Sequence, residues 1–185
     1  VNTRAEGVRL AHPLFQAEGG GETPTSALQL WFAETDASTA IALNRLWHSR
    51  LPVVRKGNVV GGFFFVAEFD GLYFASAIWT NPVARLLPQK TWLELRRMAI
   101  APDAPKNTAS RMLGWMTRHI RKRRPQITTL VSYQDKEVHT GTIYRASGWQ
   151  PVTLADPRSR PWNNTARGRN KEQSTAPKQR WEKVL

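Results

Sequence analysis

The chain contains no cysteine. That absence excludes disulfides, thiolate metal sites and a cysteine nucleophile together. No apolar run approaches the ~20 residues that a membrane-crossing helix needs, and no basic n-region followed by an apolar core opens the sequence, so the reading is of a protein free of membranes. Acidic residues are scarce: 14 Asp and Glu stand against 27 Lys and Arg, for a net charge of +13 and a pI near 11.0. A field of that size and sign favours polyanionic partners, and the clustering of the cations makes nucleic acid the leading class.

What is present suffices for one domain with tails. Of the 185 residues 41% are hydrophobic, and eight tryptophans add large burial per side chain. Residues 1–26, with three consecutive glycines and little periodicity, read as a loose arm; 27–155 as the folded domain; and 156–185 as a basic tail poor in aliphatics. Leu28, Leu30 and Phe32 alternate with polar positions and predict a first strand. Asp36 or Ser38 caps a predicted helix running to Leu51, ended by Pro52. Val59 to Phe69 is β-prone, and Asp70-Gly71 is a hairpin signal leading into Leu72–Trp79. Trp92 to Ile100 predicts a strand, and Asn107 or Thr108 opens a helix to about Arg124, stopped by Pro125. A strand from Leu130, a short helix over Thr142–Ser147 and a closing strand from Gln150 follow. The order is α/β, with one strand parallel to its neighbour.

Four groups of residues stand out. The turn into the long helix, Lys106-Asn107-Thr108-Ala109-Ser110-Arg111, puts unpaired N–H groups and two cations where phosphate binds; an ordinary capped helix start is the plain alternative. Arg97 falls in phase with Leu93, Leu95 and Ala99, a guanidinium on an apolar face, with Asp135 at the end of the next strand as its expected counter-charge. Tyr144 sits on the short helix, as a proton donor or a core aromatic; His48 and His139 titrate near neutrality and rank behind Asp135 and Tyr144. Arg118, Arg121, Lys122, Arg123 and Arg124 crowd the end of the long helix, and Arg158, Arg160, Arg167, Arg169, Lys178 and Arg180 lie in the tail among Trp162 and Trp181. Cations with interleaved aromatics suit DNA; helix-dipole pairing or a solvated tail would account for part of the run. The ending STAPKQRWEKVL also holds Trp181, Val184 and Leu185, which are able to dock onto the domain.

The segments ELRRMAI, APKNTASRML, VSYQDKEVHTGTIYRASGW and STAPKQRWEKVL resemble the Mom family of phage DNA-modification proteins. The order strand, polar cluster, short helix with tyrosine, Gly-aromatic resembles the acyl-donor cleft of the GNAT N-acyltransferases. The resemblance is strong from about Trp92 to Leu185 and otherwise rests on element order. It implies a GNAT-like fold, a mixed central sheet flanked by helices. It also implies conversion of the exocyclic amine of adenine in DNA to a carbamoylmethyl derivative, shielding phage DNA from restriction in the host cytoplasm. By position the functional set is Arg97, Ser110, Asp135 and Tyr144, with Lys106–Arg111 as the cofactor loop. This loop lacks the glycines with which related N-acyltransferases hold coenzyme A. The implied donor is acetyl-CoA or, since plain acetyl transfer does not give a carbamoylmethyl product, another activated donor such as one carrying a glycyl unit. The alternatives are a conventional acetyl-CoA-dependent N-acetyltransferase acting on a protein or small amine, and a DNA-binding module on a degenerate acyltransferase scaffold.

Overall fold

Short-range hydrogen bonds open the first described segment. Ser26 and Gln29 form a reciprocal capping box around a 3-10 turn at Ala27–Gln29. The predicted first strand is therefore shorter: Leu28 is exposed, and only β1 (Trp31–Glu34) is extended. Asp36 accepts from the Ser38 and Thr39 amides and caps α1 (Ala37–Trp47), as the sequence predicts. A second 3-10 turn at Lys56–Val59 delays β2 to Phe63–Phe69. Asp70 and Gly71 both have positive φ, 49° and 72°, the signature of a tight two-residue hairpin into β3 (Leu72–Thr80). Then follow β4 (Trp92–Ile100), α2 (Thr108–Arg123), β5 (Thr129–Asp135), α3 (Thr142–Ala146), β6 (Gln150–Val152) and β7 (Lys178–Val184). The computed structural model describes residues 23–48, 54–59, 61–152 and 178–185.

These strands form one sheet in the order β1-β2-β3-β4-β5-β7-β6. β4 and β5 are parallel, joined by α2 as the crossover, and the other pairs are antiparallel. Met112, Leu113, Met116 and Ile120 of α2 recur at helical spacing and pack with Tyr144 of α3 on one face of the sheet, with Phe65, Trp79, Leu95 and Leu130. α1 covers the other face, where Ala40 packs with Ile78 in a smaller cluster.

The end of the predicted tail is part of the sheet. β7 inserts between β5 and β6, pairing from Asp135↔Lys178 to Thr129↔Val184. Trp181 is 2% exposed, whereas Val184, also expected to dock, is 73% exposed. The segment 153–177, with Arg158, Arg160, Arg167 and Arg169, lies outside the described residues, as do 1–22 and the helix end expected at Leu51.

Candidate active site

The parallel pairing of β4 and β5 runs from Trp92↔Thr129 to Leu95↔Ser132 and stops there, although both strands continue. A bulge in β4 marks the same place: Ile78 pairs with Arg97 and Trp79 with Leu95, leaving Arg96 as the extra residue. Beyond that pair β4 and β5 are no longer hydrogen-bonded to each other. The bulge also corrects the sequence phase. Leu93 and Leu95 belong to the α2-side core, but Arg97 pairs with Ile78 of the α1-side cluster, so it does not interrupt the apolar face those leucines form.

The Tyr144 hydroxyl lies at the place where the β4–β5 ladder ends. Its Oη is 2.8 Å from Ser132 Oγ, and Ser132 belongs to the last β4–β5 pair. Its ring stacks on Trp181 at 5.2 Å and meets Trp149 edge-on at 5.7 Å. Burial pushes the Tyr144 pKa up, against the smaller opposing effect of the Ser132 hydrogen bond, so the phenol is protonated at neutral pH.

On the α1 side the structure brings Arg97, His48 and His139 together. Burial, then the Arg97 charge, then His139 hold the His48 pKa below its ordinary value, so its imidazole is neutral at pH 7. Burial and the neighbouring Arg96, opposed by Glu94, lower Arg97 to about 10, which still leaves it a cation. Sequence reasoning ranked His48 low because its relation to Arg97 exists only once α1 crosses β4. Asp135 has a partner the sequence did not name: its Oδ2 accepts from Lys178 Nζ at 2.6 Å. Asp135 Oδ1 accepts from the Glu137 amide, and its carbonyl accepts from Val138 and His139, winding residues 135–139 into a turn.

The start of α2 lines a cavity of ≈ 190 Å³ between α2 and α3, with Asn107, Thr108, Ala109 and Ser110 on one side and Thr142 and Ile143 on the other. Asn107 has φ 69° and makes no side-chain cap. Thr108 Oγ1 donates instead to Pro105 O, and Ser110 Oγ to Asn107 O. The first amides of the helix are thus left uncapped by side chains beside the cavity, an arrangement that suits phosphate. Two residues of the predicted loop do not line it. Lys106 is exposed beside it, and Arg111 turns away to donate to Ala27 O, its guanidinium 5.5 Å from the Phe32 ring.

The profile of the Mom protein family matches residues 29–183. The chain belongs to the Mom protein family. Its fold is that of the GNAT acetyltransferases. The ribosomal-protein-S18-alanine N-acetyltransferase of Escherichia coli is similar at 15% identity, covering 84% of this chain and 93% of its own, with a TM-score of 0.58. The ribosomal-protein-alanine N-acetyltransferase of Brucella melitensis is similar at 14% identity, covering 84% and 99%, with a TM-score of 0.58. The GNAT domain of S. lividans PAT is similar at 11% identity over 83% and 89%, with a TM-score of 0.57. No curated protein sequence matches the chain.

Among the described residues of this Mom family member, the cations that the sequence assigns to DNA divide into two sets. Arg123 Nε lies 3.6 Å from Glu34, which also meets His119, and the Arg124 guanidinium sits 4.6 Å over the Phe63 ring. Arg118, Arg121 and Lys122 are exposed on α2. Arg180 Nε lies 2.8 Å from Glu182 Oε1 without hydrogen-bond alignment, and Lys178 holds Asp135. Internal partners therefore account for several cations that the sequence assigns to DNA. No described helix of this Mom protein is long and apolar enough to cross a membrane.

Proposed function

We propose that this protein is a DNA-modifying transferase that converts the exocyclic amine of adenine to its carbamoylmethyl derivative, protecting phage DNA from restriction in the host cytoplasm. The observation that carries the reading is the end of the β4–β5 ladder at Leu95 and Ser132, with the protonated Tyr144 hydroxyl bonded to Ser132 at that last pair and the polar group of Arg97, His48 and His139 on the α1 side. Membership of the Mom family supports the reading, since the resemblance to that family implies adenine in DNA as the substrate.

In this reading the cavity at Asn107–Ser110 takes the donor's phosphates, which fit the uncapped amides of α2. The donor, acetyl-CoA or one with a glycyl unit, supplies the activated carbon. Arg97 holds the donor's carbonyl oxygen, Asp135 accepts a hydrogen bond from the adenine amine, and Tyr144 gives a proton to the departing group. Attack of the amine on a glycyl thioester carbonyl, with Asp135 taking the amine proton and the thiol leaving, gives an N-glycyl adduct. This is an isomer of the carbamoylmethyl product, so a rearrangement that moves the adenine nitrogen to the methylene carbon completes the reaction. Plain acetyl transfer does not make that product. Base extrusion from the duplex costs a few kcal/mol, which backbone contacts of Arg118, Arg121 and Lys122 offset.

Expression in a bacterium followed by nucleoside mass spectrometry of its DNA tests the whole reading. Carbamoylmethyl-adenine is expected with the wild type and its loss with Asp135→Asn. Unmodified adenine despite abundant folded protein overturns it, and DNA-independent acetylation of a peptide or small amine identifies a conventional N-acetyltransferase.

A further inference from the structure

The turn at 135–139 carries Asp135 and His139, and its attachment to the body of the protein comes from an unexpected direction. Gln134 precedes the turn and is 6% exposed. Its Nε2 donates to the His139 carbonyl, and its Oε1 accepts from Trp181 Nε1 at 2.6 Å. Trp181 lies on β7, far along the chain, and its ring is fixed by the stack on Tyr144. At the turn's far end Gly141 has φ 78°, and a Cβ there would lie 2.5 Å from Trp181 Cζ2 and 2.6 Å from Gln134 Oε1. No side chain fits between the turn and this pair. A second tie from the same strand, Lys178 to Asp135, holds the near end.

We propose that Gln134 and Trp181 are positioning residues: the relay from the indole N–H through the Gln134 amide to the His139 carbonyl sets the place of the 135–139 turn. β7 thereby serves the site as well as the sheet. The assignment of the turn to the site rests on the reaction proposed above; the mechanical claim does not. A buried amide that accepts at one end and donates at the other has one orientation that satisfies both partners, so it transmits the position of the indole to the turn.

The test combines amide hydrogen exchange with kinetics on the full chain. Trp181→Phe keeps an aromatic ring against Tyr144 and removes only the donor. Exchange at residues 136–141 is expected to rise on the order of tenfold, the effect of losing one hydrogen bond of ordinary net strength, with β2 and β3 unchanged. Gln134→Met removes both bonds and is expected to open the same residues, and the double variant to open them no further than Gln134→Met alone. With adenine in duplex DNA as substrate, kcat is expected to fall while KM changes little. Unchanged exchange at 136–141 in folded protein, or a rise spread evenly over the sheet, overturns the inference. If the wild type makes no modified adenine, the reaction fails while exchange still decides the relay; local opening without any change in kcat removes the turn from catalysis.

Discussion

Tyr144 joins packing to the chemistry proposed for it. Its ring is core, between Trp181 and Trp149, while its hydroxyl reaches the last residue pair of the β4–β5 ladder. Tyr144→Phe keeps the ring and strands Ser132 Oγ. The expected result is a loss of about 1 kcal/mol in denaturant unfolding, together with loss of modified adenine in cellular DNA. A stability change with full modification would assign the hydroxyl to structure alone. His48 makes a different prediction. Its folded pKa is depressed, so the unfolded chain takes up the proton first as pH falls. Stability attributable to His48 is complete above its ordinary pKa of about 6.5, declines as pH drops through that value, and levels off below the lowered folded value. Thermal unfolding from about pH 8 down to about pH 5 should show the decline, and His48→Gln should flatten it. Tyr144 was legible in the sequence because its helix and the following Gly-Trp are local signals. His48 was not, because burial and the Arg97 charge come from elements distant in the chain.

At the level of elements, those with strong local grammar were readable. The Asp36 cap, the Asp70-Gly71 hairpin, the extent of β4 and the α2 stripe of Met112, Leu113, Met116 and Ile120 all follow from residue type and spacing. Two failures have physical causes. Strict alternation along β4 placed Arg97 with the leucines, but one extra residue at Arg96 reverses the phase, and nothing in the side chains announces a bulge. β7 was hidden by its charge: Lys178, Arg180 and Lys183 resemble a solvated tail, yet Lys178 meets Asp135, Arg180 meets Glu182, and Lys183 donates to Gly148 O. Trp181 supplies the burial that makes the strand worthwhile. Trp181→Ala is accordingly expected to cost about 3–5 kcal/mol in chemical unfolding, an effect no solvated tail would produce.

For the molecule as a whole, the net charge of +13 predicts DNA affinity that falls steeply with salt. The internal ties of Arg123 and Arg124 sharpen that expectation. Neutralising Arg118, Arg121 and Lys122 together should flatten the salt dependence of binding, measured by fluorescence anisotropy, by more than neutralising Arg123 and Arg124 does. The largest architectural fact is how the two groups of strands meet. β1 to β4 and β5 to β7 adjoin through four residue pairs, with α2 against α3 bracing one side. Such a joint makes the protein its own indicator of what it binds. A compound that binds both groups where their ladder ends would act as mortar between two half-walls, and its grip would appear as a melting temperature that climbs with the logarithm of its concentration above Kd. Ranking candidate donors of the proposed reaction by that shift would order them by affinity even before a modified nucleoside had been isolated.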